Sequence, residues 1–206
     1  MQNNGWNLSE DILKERVTDI MNQADRMVHI IQHVRLFARE AGKPNRLPLQ
    51  VNDVVLSALD MLSAQFRSHG IDLQTELTEN LPDVSGNSFS LEEVILNLLN
   101  NARDAIEDHH PESGHIRIRT GMAGTHVLID MADNGGGIPT EILDRIFDPF
   151  FTTKDPDKGT GLGFSVSRSI VEEFGGQIEV NSQTKQGTTI RITLPALQNT
   201  PPEITS

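Results

Sequence analysis

Cysteine is absent from the 206 residues, so the chain can form no disulfide, thiolate zinc centre or thiol nucleophile. Basic residues are scarce: 17 against 29 acidic ones leave a net charge of −12. A surface of that sign repels a phosphate backbone, which argues against nucleic acid as a partner. An anionic small ligand stays compatible, but only where backbone N–H groups or a metal raise the local potential. Also missing are an apolar run long enough to span a bilayer and a signal-peptide pattern at the start. The chain reads as cytoplasmic, with no membrane contact of its own. Its featureless opening, MQNNGW, leaves a longer and membrane-associated parent open. What is present, 36% apolar residues, suffices for one solid core plus a smaller element.

The smaller element comes first. From Ser9 to Glu40 the apolar positions are Leu13, Val17, Ile20, Ala24, Met27, Ile31, Val34 and Ala38. Their alternating spacing of four and three predicts a long coiled-coil-like helix that packs on another helix. Gly42 and Pro44 end it and open a hinge over residues 43–46. His29 and His33 lie four apart on this helix, but no third zinc ligand accompanies them and they read as solvated. From residue 47 the pattern becomes mixed. RLPLQV reads as a short strand. NDVVLSALDMLSAQFRSHG reads as a helix opened by Asn52 and closed at Gly70. IDLQTEL alternates like a strand. SLEEVILNLLNNARDAIED reads as an amphipathic helix, with Ser90 as its cap and Glu93 completing a capping box. HIRIRT and HVLIDMAD are adjacent strands, LGFSVSRSIVEEFGG is a helix, and QIEVNSQ with TTIRITLP is a closing hairpin. Strand pairs under helices predict a two-layer α/β sandwich with a mixed sheet over residues 47–195, followed by a disordered tail at 196–206.

Three stretches carry the candidate chemistry. On the helix EEVILNLLNNARDAI, Val94, Ile95, Leu98, Leu99 and Ala102 supply a core face. Glu93, Asn97 and Asn101, four apart, form one polar stripe. Asparagine is a poor helix former, and a solvated face ordinarily uses Lys, Glu or Arg. Amide oxygens at this spacing can ligate a hard cation such as Mg2+ without adding charge. DNGGGIP begins at Asp133, directly after an apolar strand. Three glycines permit close backbone approach to a flat ligand, and the carboxylate can accept an amino hydrogen. GTGLG, residues 159–163, feeds straight into a helix and can offer unpaired N–H groups to phosphates. It is not a Rossmann fingerprint, because Phe164 stands in the place of the third glycine. Nor does a P-loop motif occur.

The asparagine-bearing helix, DNGGGIP, IFDPFFTTK, GTGLG and GTTIRITLP, in that order, resemble the ATP-binding domain of sensor histidine kinases. That domain belongs to the superfamily shared with gyrase, the heat-shock chaperone ATPase and the mismatch-repair ATPase. The resemblance covers about residues 47–195. It implies an α/β sandwich binding ATP and Mg2+ beneath a lid, with catalytic residues Glu93, Asn97 and Lys154. Asn97 matches the metal-binding asparagine and Asn101 its neighbour near the phosphates. Asp133 matches the aspartate that reads the adenine amino group, with Gly135 and Gly137 shaping the pocket and Thr188 supporting the carboxylate. Phe147, Phe150 and Phe151 match the aromatic box of the lid, followed by Lys154. Gly159, Gly161 and Gly163, with Leu162 between them, match the phosphate-facing segment.

The same resemblance identifies the first 42 residues with the second helix of a dimerisation and phosphotransfer hairpin. It implies a homodimer through that helix and a response-regulator receiver domain as partner. The family's phosphoacceptor histidine is followed at once by an acidic residue, and none of the seven histidines meets that condition. Two departures bear on the site. Asp104 stands one turn beyond Asn101, where many kinases are basic, so neutralisation falls to Mg2+, Lys154 or Lys158. Glu93 occupies the place of a water-activating glutamate in gyrase-like ATPases, which leaves a stand-alone ATPase as the alternative to a kinase. A helical interaction module with a vestigial nucleotide site is a third reading.

Overall fold

The computed structural model describes residues 16–17, 46–109, 113–154 and 159–197. The expected long helix lies outside the described residues except for Arg16 and Val17, which are helical, and so do His29 and His33. The chain divides between Pro44 and Asn45. The larger unit runs in order β1 Leu47–Leu49, α1 Val51–Ser68, β2 Ile71–Leu77, β3 Val84–Gly86, α2 Ser88–His109, β4 Gly114–Ala123 and β5 His126–Asp133. A 3-10 helix over Thr140–Arg145 follows, then α3 Gly163–Glu173, β6 Gln177–Gln183 and β7 Gly187–Pro195. Five strands form one sheet in the order β2-β4-β5-β7-β6, parallel only between β2 and β4. The parallel pair requires a crossover, and α2 supplies it. This is the two-layer α/β sandwich with a mixed sheet that the pattern predicts.

Burial explains the layers. On α2, Leu91, Val94, Ile95, Leu98, Leu99, Ala102 and Ile106 are buried, at the three-and-four spacing of a single helix face. They meet the inward residues of the central strands, aligned in rows such as Ile118, Met131 and Ile190 across β4, β5 and β7. The helix α1 contributes Val51, Val55, Ala58 and Phe66 to the same core.

Four local expectations need correction. Asn52 is inside α1 and does not open it. Its side-chain amide donates to the Thr78 carbonyl at 2.8 Å and accepts from Thr120 Oγ1 at 2.8 Å, tying the helix to the sheet. Ser90 is not the cap of α2. Asn87 is, with Oδ1 accepting the Ser90 N–H at 3.1 Å, so no capping box reaches Glu93. The short strand β3, unanticipated, pairs antiparallel with β1. Pairing also runs past residue 195: Ala196 donates to the Thr125 carbonyl at 3.0 Å and Leu197 to that of Asp83 at 2.7 Å.

The outer face of the sheet carries an unusual row. Glu76, Arg119, Asp130, Arg191 and Glu179 are cross-strand partners in succession, one from each of the five strands. Arg119 pairs with Glu76 at 2.9 Å, and Arg191 grips Asp130 through Nε and Nη2 at 2.7 and 2.8 Å. Hydrogen bonding and attraction from Asp130 hold the Arg191 guanidinium above its ordinary pKa. Slipping the central strand β5 by one residue would break both of its junctions, Asp130 with Arg119 and Asp130 with Arg191, at once. Asp130→Lys replaces two favourable cross-strand junctions with two repulsive ones. Urea unfolding should show a lower midpoint than the unmodified chain at low salt, the difference shrinking at high salt.

Candidate functional site

The site is built on the polar side of α2. Glu93, Asn97, Asn101 and Asp104 stand on successive turns, opposite the buried apolar face. Asn97 Nδ2 is buried and has no hydrogen-bond partner among the described residues, a donor placed to meet an acceptor at this site. Burial pushes the Glu93 carboxyl above its ordinary pKa. With the capping box gone, that carboxyl belongs to the stripe.

Above the stripe lies the start of α3. Gly163 is its first residue, and a Cβ placed there would lie 3.9 Å from Asn97 Oδ1 and 3.8 Å from Asn101 Nδ2. Leu162, the cap position, is buried and no side chain caps the helix, so the first-turn N–H groups are left to other acceptors. These groups and the helix dipole place positive potential over two neutral amides. Lys154 brings a full charge: its Nζ lies 2.5 Å from Asp104 Oδ2 and 3.4 Å from Asn101 Oδ1. Lys158 lies outside the described residues.

The connecting loop is held by its aromatics and glycines. Phe147 meets Phe164 edge-on at 5.8 Å, Arg168 covers the Phe147 ring at 5.4 Å, and Arg145 covers Phe151 at 4.5 Å. Of the three aromatics matched to the lid, Phe147 and Phe151 make these ring contacts. Phe150 is 75% exposed and sits at φ +67°, a strained conformation for a bulky residue. Gly161 explains why the backbone returns so closely. A Cβ there would come within 2.5 Å of the Phe150 carbonyl carbon. At Gly159 a Cβ would lie 2.8 Å from Thr152 Oγ1 and 3.2 Å from Lys154 Cβ.

Asp133 ends β5 on the other side of the site. Its Oδ1 accepts the Gly135 N–H at 2.8 Å and the Thr188 N–H at 3.3 Å. Oδ2 has no hydrogen-bond partner among the described residues. Burial raises the carboxyl pKa to about 6, against the pull of the two amides. Thr188 supports Asp133 through its backbone; its hydroxyl pairs with Ser182 Oγ at 2.9 Å. Ser182 also accepts the Ile138 N–H at 2.7 Å and donates to the Gly187 carbonyl at 3.0 Å. No motif singled it out beforehand, and only the alternation of β6 could have placed it inward. The close approach that the glycine run permits is to protein. A Cβ at Gly135 would stand 2.7 Å from the Ala105 carbonyl carbon, and one at Gly137 2.1 Å from the Gln183 carbonyl oxygen. The Gly136 N–H donates to Ala105 at 3.1 Å, so the loop after Asp133 is seated on α2 one turn beyond Asn101.

The arrangement sets a half-buried carboxylate against a helix N-terminus, neutral amides and one lysine, as an amino-bearing polyanion would need. Residues 86–198 match the family described as histidine kinase-, DNA gyrase B- and HSP90-like ATPase. Sensor histidine kinase ZraS of Escherichia coli is 36% identical over 84% of this chain, which spans 36% of that protein. Relative to the two-component sensor PprA of Pseudomonas aeruginosa, 35% identical, the chain spans only 20% of the length. Among solved structures, the catalytic domain of histidine kinase ThkA superposes with a TM-score of 0.65 at 29% identity, over 74% of this chain and 96% of that one. The chain therefore belongs to the histidine kinase-, DNA gyrase B- and HSP90-like ATPase family and carries an ATPase domain of the sensor histidine kinase type.

Proposed function

We propose that this domain binds Mg·ATP and presents its γ-phosphoryl group to a histidine outside the chain, from which a response regulator receives it. The observation that carries the reading is the uncapped start of α3 facing Asn97 and Asn101, with Asn97 Nδ2, which has no partner among the described residues, beneath it. Asp133 offers Oδ2 to the adenine amino group while Gly135, Gly137 and Thr188 hold its other oxygen and its loop in place. The N–H groups of the segment Gly159, Gly161, Leu162 and Gly163 donate to the phosphates, joined by Lys154 and Asn101, and Phe150 lies at the loop's exposed edge. Asn97 holds Mg2+ through its amide oxygen. The bound metal would neutralise phosphate charge. Catalysis is then positioning and charge stabilisation rather than covalent chemistry. The first helix supplies homodimerisation, and the receiver domain of a response regulator is the downstream partner. Among the described residues no helix is long and apolar enough to cross a membrane.

A second reading has support in one observation. Asn87 rather than Ser90 caps α2, so Glu93 is not a capping-box residue, and burial raises its pKa, as a base that activates water would require. The two readings separate on phosphate release. A kinase domain without its acceptor should release phosphate slowly, unchanged by Glu93→Gln, and label none of its own histidines. Steady release abolished by Glu93→Gln would instead establish the ATPase.

Titration calorimetry with ADP tests the site itself. Asp133→Asn should weaken binding about 10- to 100-fold, the cost of a charge-assisted hydrogen bond. The pH dependence has a definite sign. An amino donor favours the ionised carboxylate, so binding lowers the Asp133 pKa and expels a proton. Affinity should rise with pH through about 6 and flatten above about pH 7. The same series on Asp133→Asn isolates the nucleotide's own titration. In the free domain the raised pKa works oppositely. This group's contribution to stability is complete below 3.8 and is lost as pH rises through about 6.

Metal dependence tests Asn97. The gain in ATP affinity on adding Mg2+ should largely disappear in Asn97→Ala and persist in Asn101→Ala. Equal gains in all three proteins would remove Asn97 as the ligand.

A further inference from the structure

Asp104 is engaged by two cations, and it divides its oxygens between them. Oδ1 takes Arg103, through Nη2 at 2.7 Å and Nε at 3.1 Å, and Oδ2 takes Lys154 at 2.5 Å. Arg103 and Asp104 are neighbours on the same helix, whereas Lys154 arrives from the glycine-bearing loop. The division has an energetic consequence. If Lys154 left, Asp104 would keep its guanidinium, so departure breaks one part-exposed ion pair without stranding a buried charge. Lys154 is also bonded to Asn101 Oδ1, and the amide nitrogen of that same side chain faces Gly163 at the start of α3. The lysine therefore waits beside the N–H groups, with one carboxylate oxygen as its resting partner.

We propose that Asp104 is a positioning residue for nucleotide binding. It holds the Lys154 ammonium beside Asn101 in the free domain and gives it up to the phosphate groups of the incoming nucleotide. The inference rests on the nucleotide reading above. It adds a competitor within the site: Asp104 and the phosphates contend for one lysine, so the carboxylate weakens phosphate binding while it keeps the loop's charge in place. The adenine end, organised by Asp133, takes no part in this exchange.

The test has two arms on the full chain. In the first, amines are acetylated without nucleotide and the modified positions are mapped by mass spectrometry. Lys154 should react more slowly than Lys185. Asp104→Asn should speed its reaction several-fold, and Asp104→Glu, which keeps the charge, should restore the slow rate. In the second arm, calorimetry compares adenosine with ADP. Asp104→Asn should tighten ADP about two- to fivefold, the worth of a part-exposed ion pair, and leave adenosine unchanged. A merely structural role would move both ligands together, and that result overturns the proposal. So does an unchanged Lys154 labelling rate, whatever the nucleotide does. If the unmodified chain binds neither ligand, the nucleotide reading falls and the exchange with it. A labelling contrast that survives would show that the resting pair is sound and that the failure lies in the nucleotide reading.

Discussion

The site depends on one backbone-to-backbone contact. The loop leaving β5 lies so close to Ala105 of α2 that no side chain fits at Gly135, and the Gly136 N–H closes the contact on the Ala105 carbonyl. That seat fixes Asp133, at the end of the sheet, relative to Asn97 and Asn101 on the helix. The other side of the loop is wedged against Gln183 at Gly137, which needs its left-handed φ of +68° to pass. The apolar core that α2 shares with the sheet is made by other residues and does not depend on this contact. What would be lost is the fixed spacing between a carboxylate and a helix N-terminus.

A chain of net charge −12 that receives a polyanion must concentrate its positive potential. The domain does this mostly without cationic side chains. The α3 N-terminus contributes partial charge from N–H groups, and asparagines line the opposite wall where acidic residues would repel the ligand. The one full charge among the described residues of the loop's tip, Lys154, is balanced by Asp104. Local potential thus arises largely from backbone geometry.

Much of this was legible in residue pattern. The three-and-four spacing of Val94 through Ala102 announced the buried face of α2, and the alternation of IDLQTEL gave β2 its bounds, because both signals are local periodicities. The cap of α2 was misplaced because Asn87 and Ser90 are both good caps, and sequence does not say which adopts the extended backbone. Asn52 looked like a helix start, yet its amide serves a tertiary link to Thr78 and Thr120 that no local rule encodes. The partners of Lys154 and the role of Ser182 join positions roughly 50 and 44 residues apart, where periodicity carries no information. Asp104 was visible as a departure from the family's pattern and Lys154 as a phosphate partner, but the pairing of the two was not.

The five-strand row of alternating charges has an architectural consequence. A third layer packed on that face would strip water from Glu76, Arg119, Asp130, Arg191 and Glu179 together, and each ion would need a new partner matched in sign and spacing. Covering that face therefore carries an electrostatic cost, which favours leaving it wet.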